Sequence, residues 1–467
     1  MIFNDKGEPV KMGYDGAESV SRHRNWLNNN SPVDHSEEQV LDFHKRNTLV
    51  AHLYDLYRSD TICYAIVEAM VTNISTPRLI SQTGNDEYDE KREKLFNRFF
   101  LNCEVSGLSI AEVIRLIIRE LCLAGECFIL LGSKKLQMIE GNRIATDPKN
   151  KKKQEVEGVV LNSEGTPTSY RICGFDKNGR LDVKNGKYVS ARNCIHIAHR
   201  TRINSIRGIP LMASCVSHLK DISELIKASV NKAKVSSLLT AFVKSETNFH
   251  QMHNVNGYDE PLRSSHTSLK TGSICYLEPN ESIEILKGGD IGNMDAFVRE
   301  RVADCLSTLG LSLECLRSYS NSSYASSRAT RSMLAHKFNE YRAMLETKGL
   351  NRVAFWYSAK LNKEGILTAP ADIDMQDYKL AWKAIPTLDA QKDAVTHNVL
   401  LKNGMTNLSK IQGEKGEDWT EILEGRAKEL SAIKEIADKY GINASMLMPE
   451  YSFDQPLDDT DEVDNKT

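Results

Sequence analysis

From Met294 to Gly365 the chain reads MDAFVRERVADCLSTLG–LSLECL–RSYSNSSYASS–RATRSMLAHKFNEYRAMLETKGLNRVAFWYSAKLNKEG. The first segment predicts a helix over Met294–Leu309, closed by Gly310. A small-residue loop rich in Ser and Tyr follows over Arg317–Ser327. A second helix starts at Arg328, meets no Pro or Gly as far as Lys348, and continues through Asn351–Lys363. Its apolar residues at 333, 334, 338, 341, 345, 353 and 355–357 form a packing stripe. Arg328, Arg331, Lys337, Arg342, Lys348, Arg352, Lys360 and Lys363 stand against only Glu340, Glu346 and Glu364. A basic helix beside a hydroxyl-rich turn suits a surface that meets a polyanion without reading its sequence.

Working outward, the chain is predominantly helical with a β-rich insert, an α+β pattern. Leu49–Ile74 reads as one helix, and Ile110–Leu123 as a strongly amphipathic one that ends at Gly125 before a buried strand, Cys127–Leu131. Leu136–Ile139, Val156–Leu161, Ser169–Ile172 and Cys194–Ile197 have strand character, and Lys149–Lys153 reads as a solvated hairpin tip. Pro210–Lys244 reads as a second long helix with Pro210 in its first turn. Residues 246–270 form a polar excursion, and Ser273–Leu277 and Ser282–Leu286 look like paired strands. Helices are expected at about 388–403, 406–413 and 417–439. Residues 454–464 carry six acids and read as a disordered tail.

The net charge of −3 over 467 residues excludes a protein that coats nucleic acid generally. Any polyanion contact must be local. The N-terminus shows no apolar signal-peptide region, and no run approaches the ~18 apolar residues of a membrane span. The ten cysteines are scattered, which reads as reduced thiols rather than a disulfide framework.

Catalytic motifs are absent from the sequence. No G-x-x-x-x-G-K-[ST] cradle occurs, and Gly288-Gly289 with Gly292 reads as a hinge. His196-x-x-His199 and His250-x-x-His253 lack the second pair a zinc site needs, and no H-E-x-x-H is present. The serines of 322–327 have no elbow or base beside them. The reading is therefore a non-enzyme with no cofactor, no metal and no catalytic residues.

The order of motifs resembles the lambda-type family of phage portal proteins. It starts with Arg22-His23-Arg24-Asn25-Trp26. Leu121–Leu131 (LCLAGECFILL) is similar to the family's helix followed by a GE-x-F strand. Gln137–Glu140 and Gly158–Ile172 (GVVLNSEGTPTSYRI) resemble its hairpin, with Asn162 where an Asp is usual. His196 to Pro210 resembles the H-x-x-x-x-R…RG-x-P approach to a long helix. Gly272–Glu281, Leu309–Leu316 and Ser320–Arg328 complete the series, with an extra Ala325 after Tyr324.

The resemblance implies a portal fold of wing, stem, clip and crown that closes into a ring of twelve copies. It passes double-stranded DNA without sequence specificity during packaging and ejection. The boundaries implied are arm and wing 1–209, first stem helix 210–245, clip and adjoining strands 246–293, and second stem helix 294–317. A channel loop at 318–327, a long wing helix at 328–365 and crown with acidic tail at 366–467 complete them. Channel-facing residues are expected at Ser320, Asn321, Ser322, Ser323, Tyr324, Ser326, Arg328, Arg331 and Lys337. Stem basic residues are Lys227, Lys232, Lys234, Arg299 and Arg301. Implied partners are the terminase large subunit, a head-tail connector or adaptor, and the major capsid or scaffold protein, with no membrane. The implied location is the virion's portal vertex, with host cytoplasm during assembly. Alternatives are a metal-dependent DNA-processing enzyme and a structural adaptor that does not bind DNA.

Overall fold

The computed structural model describes residues 36–74, 76–147, 155–238, 242–245, 281–284, 294–316, 324–370, 374–383, 390–415 and 419–441. Helices α1 (Glu37–Val40), α2 (Phe43–Ser59) and α3 (Thr61–Asn73) lead to β1 (Pro77–Ser81), α4 (Asp86–Phe100) and α5 (Ile110–Leu123). Strands β2 (Glu126–Leu131), β3 (Leu136–Glu140), β4 (Glu155–Val156), β5 (Val159–Leu161), β6 (Pro167–Phe175), β7 (Leu181–Ser190) and β8 (Cys194–Ala198) follow. Next come α6 (Val216–Leu238), β9 (Phe242–Ser245), β10 (Glu281–Glu284), α7 (Met294–Thr308) and α8 (Tyr324–Leu345). A π-helical turn (Glu346–Leu350) joins α8 to α9 (Asn351–Lys363). The chain ends in β11 (Tyr378–Trp382), α10 (Ala390–Lys402), α11 (Leu408–Lys415) and α12 (Trp419–Tyr440). This mixture is the expected α+β class.

The chain forms two compact units, 1–74 with 98–368, and 75–97 with 369–467. The expected boundaries kept 1–209 together, yet residues 75–97 join the C-terminal segment. The cause is strand pairing. β1 and β11 run antiparallel from Pro77 opposite Trp382 to Ser81 opposite Tyr378. Arg92, fully buried, clasps this unit by donating to Ser81 Oγ at 3.2 Å and Met375 O at 2.6 Å. Its guanidinium also lies 5.1 Å from the Tyr378 ring centre. The three C-terminal helices fall within about two residues of their expected bounds.

In the larger unit, β2 is the middle strand of β3-β2-β8, antiparallel to both neighbours. It is apolar on both faces because both are covered. Phe128 joins Ile139, Ile144, Val159, Tyr170, Ile172 and Cys194 in a core shared with the antiparallel sheet β4-β5-β6-β7. On the other face Ile129 and Ile197 share an apolar crevice with Ile114, Ile117, Leu345 and Val353. α5 begins on a capping box in which Ser109 and Glu112 satisfy each other's backbone N–H groups.

Several expected boundaries are corrected. The single helix over Leu49–Ile74 is two, because Asp60 is extended. Its N–H closes α2 on Leu56 O at 2.7 Å, and its Oδ1 accepts from Ile62 N and Cys63 N to open α3. Val156–Leu161 is a hairpin rather than one strand, turning at Glu157 (φ 46°) and Gly158 (φ 81°). β7 was missed because its exposed, polar sequence carries no apolar alternation. The second long helix starts at Val216, not Pro210. Leu211 N and Met212 N donate to Leu121 O and Cys122 O, which holds 210–212 in a turn. It ends at Leu238, and the following residues Phe242–Ser245 form a strand that pairs with β10. The last long helix begins at Tyr324, four residues early, since nothing in Tyr324–Ser327 stops it. At its middle the π turn brings Gly349 against Ile197, where a Cβ would come within 2.8 Å of Cδ1. The expectations for residues 1–35, Lys149–Lys153, 246–270, Ser273–Leu277, 318–323 and 454–464 lie outside the described residues.

Asp60→Ala removes the side-chain cap of α3 and the anchor for Ser223 while keeping the N–H that closes α2, and urea denaturation is expected to show a loss of about 1–2 kcal/mol. Ser109→Ala at the start of α5 is expected to lose about 1 kcal/mol.

Candidate nucleic-acid interface

α6 and α7 form an antiparallel pair. At one end the Cys215 thiol donates to Cys305 O at 3.6 Å and lies 3.2 Å from Thr308 Oγ1. At the other, Ser229 Oγ donates to Met294 Sδ at 2.6 Å. Ser223 Oγ donates to Asp60 Oδ2, so the residue that divides α2 from α3 also anchors α6. Lys227, Lys232 and Lys234 are exposed on α6. On α7 Arg299 lies 3.5 Å from Asp295, and Arg301 lies 3.8 Å from Asp304 with its guanidinium 5.3 Å over the Phe297 ring.

The residues expected to face a channel are spread along this region. Ser320, Asn321, Ser322 and Ser323 lie outside the described residues. Tyr324 and Ser326 fall in the first turns of α8 rather than in a loop. Arg328 is exposed and Arg331 partly so. Lys337 is half-buried, 2.7 Å from Glu340 and 5.5 Å over the Tyr341 ring. Its methylenes fill the space a Cβ at Gly310 would take.

The second half of the basic helix is a correction to the polyanion reading. Lys348 donates to Ala198 O at 3.0 Å, and Arg352 to Cys194 O at 3.2 Å and Ala191 O at 3.0 Å. These carbonyls belong to edge strand β8 and the turn before it, and an edge left bare would be a liability. Lys360 similarly donates to Lys134 O at 3.1 Å. Arg342 is buried and bonds Asn339. The positive charges of Lys348, Arg352 and Lys360 therefore fasten the helix to the sheet and its turns. The spacing of Lys348 and Arg352, four apart on one helical face, was the available signal.

The GE-x-F and RG-x-P segments form a buried ion network. Arg207 donates Nε to Glu126 Oε1 at 2.7 Å, Nη2 to Gly141 O at 2.7 Å, and Nη1 to Ile144 O at 3.0 Å and Glu157 O at 2.6 Å. Glu126 Oε2 accepts from Gly208 N at 2.8 Å and from His196 Nε2 at 2.9 Å. Arg46 donates to Glu157 Oε2 at 3.0 Å and to Gly208 O. Burial alone would raise the Glu126 carboxyl, but Arg207 and then His196 outweigh it and hold it well below the usual carboxylate range. Burial lowers the pKa of His196, which stacks 4.2 Å from the Phe128 ring. The glycines permit this approach. A Cβ on Gly125 (φ 82°) would sit 2.2 Å from Ile209 C, and one on Gly208 would sit 2.2 Å from Gly125 O.

The other titratable cluster was not foreseen. Tyr54 on α2 donates to Glu120 on α5, and both line a crevice of about 10 Å³ with Arg46, Glu126 and Glu140. That volume suits a single water rather than a substrate. Burial first, with the charge of Glu140 adding to it, pushes the Glu120 carboxyl up to about 7 against its bond from Tyr54. Among the described residues no three His, Cys, Asp or Glu side chains converge to hold a metal. His196 and His199 turn to separate partners, Glu126 and Ile209 O. No described helix is long and apolar enough to cross a membrane.

Arg207→Met strands the Glu126 charge, and denaturation is expected to show a loss of about 3–5 kcal/mol, partly recovered in Arg207→Met/Glu126→Leu. Glu120 has a different signature. Its unfolded carboxyl ionises near 4.5 and its folded one near 7, so in that window the folded state holds the extra proton. Stability is expected to fall by about 3 kcal/mol as pH rises through the window and then to level off. Thermal melts of Glu120→Gln are expected to lack that fall.

The family model for phage portal protein, lambda family, matches residues 21–342. Comparison with curated proteins gives no match. Among solved structures, the chain is similar to one in the virion of a native gene transfer agent particle, 13% identical, with 78% of this chain and 92% of that one covered and a TM-score of 0.47. It is similar to another in the neck of the native gene transfer agent particle computed with C12 symmetry, 14% identical, 77% and 91% covered, TM-score 0.46. A third is an HK97 family phage portal protein from Corynebacterium diphtheriae, 10% identical, 72% and 97% covered, TM-score 0.35. The family match runs through the Glu126–Arg207 network, the α6–α7 pair and most of α8, and the chain belongs to the lambda family of phage portal proteins.

Proposed function

We propose that this chain closes into a ring of twelve copies at one vertex of a phage head and forms the channel through which double-stranded DNA enters and leaves. The observation that carries the reading is the α6–α7 pair. Beyond the sides that pack on each other and on α2, α6 exposes Lys227, Lys232 and Lys234, and α7 exposes Arg299. Such helices suit burial between copies around an axis. A ring repeats each cation once per copy, so a few exposed residues make a complete basic girdle.

DNA that must slide is best met through its phosphates, without base readout and with weak individual contacts. The hydroxyl-rich stretch 318–327, directly ahead of Arg328 and with Arg331 one turn on, is the proposed constriction. Ser320, Asn321, Ser322, Ser323, Tyr324 and Ser326 would supply neutral hydrogen-bonding groups there. The ring would dock the terminase large subunit and the head-tail connector, and contact capsid or scaffold protein during assembly in the host cytoplasm. ATP turnover would belong to the terminase, and the ring itself would catalyse nothing.

Negative-stain images of the purified chain are expected to show rings with a central hole, without ATP hydrolysis. A monomer that cleaves DNA in a divalent-metal-dependent manner would overturn the reading in favour of a DNA-processing enzyme. Arg328→Ala/Arg331→Ala rings are expected to retain DNA more weakly, with a shallower salt dependence of binding.

A further inference from the structure

We infer that Cys215 and Cys305 form a redox pair, which a peroxide oxidises to a disulfide that staples the start of α6 to α7. The bond itself follows from these two residues. Only the moment at which it forms rests on the virion reading.

The geometry is that of a pair held between two elements. Cys215 closes the turn directly ahead of Val216, the first residue of α6, where helix N–H groups favour negative charge. Cys305 lies within α7. The Cys215 sulfur is 3.6 Å from the Cys305 carbonyl oxygen and 3.2 Å from Thr308 Oγ1. The two thiols also hydrogen-bond each other. Closing the remaining gap is therefore a side-chain adjustment that leaves both helices in place. Both residues are 1% exposed. That burial keeps bulky disulfide reagents out and makes a small peroxide the oxidant of matching size.

The chain has ten cysteines, and the nine among the described residues are all free thiols. Burial raises Cys63, Cys122 and Cys194 to about 12 and Cys103 to about 11, and it also raises Cys127 and Cys173. Such thiols are inert, because the thiolate is the form that reacts. Cys215 moves the other way. The Cys305 thiol lowers it by hydrogen-bonding its sulfur, and Thr308 and Ser214 add to this against burial. The competing reading is a purely structural contact between two buried thiols. It accounts for the burial, but not for one cysteine lowered at a helix start while its neighbours Cys63 and Cys122 are raised.

The Cys215 thiolate attacks one peroxide oxygen and the O–O bond breaks. Hydroxide leaves and takes up the proton that Cys215 released. Cys305 then loses its proton and attacks the sulfur of the sulfenic acid so formed, expelling the second oxygen as water. Two thiols lose two electrons, and one peroxide becomes two waters. A reducing cytoplasm keeps the pair open, and the oxidising surroundings of a released particle close it. The α6–α7 pair is thus free to adjust during assembly and fixed afterwards.

The test treats the reduced full chain with hydrogen peroxide, blocks remaining thiols with N-ethylmaleimide and maps the peptides without reduction. A peptide joining Cys215 to Cys305 is expected. The melting midpoint is expected to rise by about 5 °C, and dithiothreitol to reverse the rise. Cys305→Ser is expected to stop at the first step, leaving a sulfenic acid on Cys215 that is read as a dimedone adduct. A folded wild-type chain that keeps all its thiols would sink the inference, as would a disulfide from Cys215 to Cys63 or Cys122. If Cys305→Ser does not fold, the wild-type peptide map decides. Negative stain of the same sample separates the two readings. Rings without the cross-link remove only this inference, and the cross-link without rings removes only the ring reading.

Discussion

A glutamate and an arginine sunk together beneath the sheet set the terms for the larger unit. Removing two charges from water costs several kcal/mol per ion, and their attraction offsets this only when the remaining hydrogen-bonding positions are filled. Glu126 and Arg207 meet that condition by drawing on Gly141, Ile144, Glu157, His196 and Gly208. Every one of those groups must be in place, so β2, the turn after β3, the β4–β5 turn and the end of the β8 loop are located relative to one another. The glycines at 125 and 208 are the steric condition for the same contact. Residues 209–212 leave this network already bonded to the end of α5, and the direction of α6 follows from there.

Charge on this protein therefore does two separate jobs. Cations at Arg46, Arg207, Lys348 and Arg352 serve backbone carbonyls and buried acids, and they hold the sheet together. Cations at Lys227, Lys232, Lys234 and Arg328 instead lie exposed at the surface. Counting basic residues along the long helix merges the two groups. Only geometry separates a lysine that closes a strand edge from one that meets a phosphate.

Much of the fold was legible in the sequence wherever one pattern dominated. Ile110–Leu123 has a strong apolar face, a Ser/Glu capping pair and a glycine stop, and its bounds match residue for residue. Met294–Leu309 and the C-terminal helices are similar cases. The expectations that failed depend on contacts far away in sequence. Asp60 breaks a helix because it can cap both ends of the break. Pro210 is not a helix start because Leu121 and Cys122 take the following donors. β7 is an edge strand with little to bury, so it shows no alternation. The same limit applied to the candidate site. The order of motifs led to the family, and the GE-x-F and RG-x-P segments proved to be one ion network. Glu120 with Tyr54 left no trace, because their proximity is made by packing α2 on α5.

The central claim is that these helices surround an axis along which DNA passes. A symmetric cryo-electron microscopy reconstruction of the assembled particle tests it most directly. The account predicts a closed ring in which α6 and α7 line the channel wall and residues 318–323 point toward the axis. An open or monomeric assembly, or a closed ring whose 318–323 segment lies on the outer surface, would contradict it.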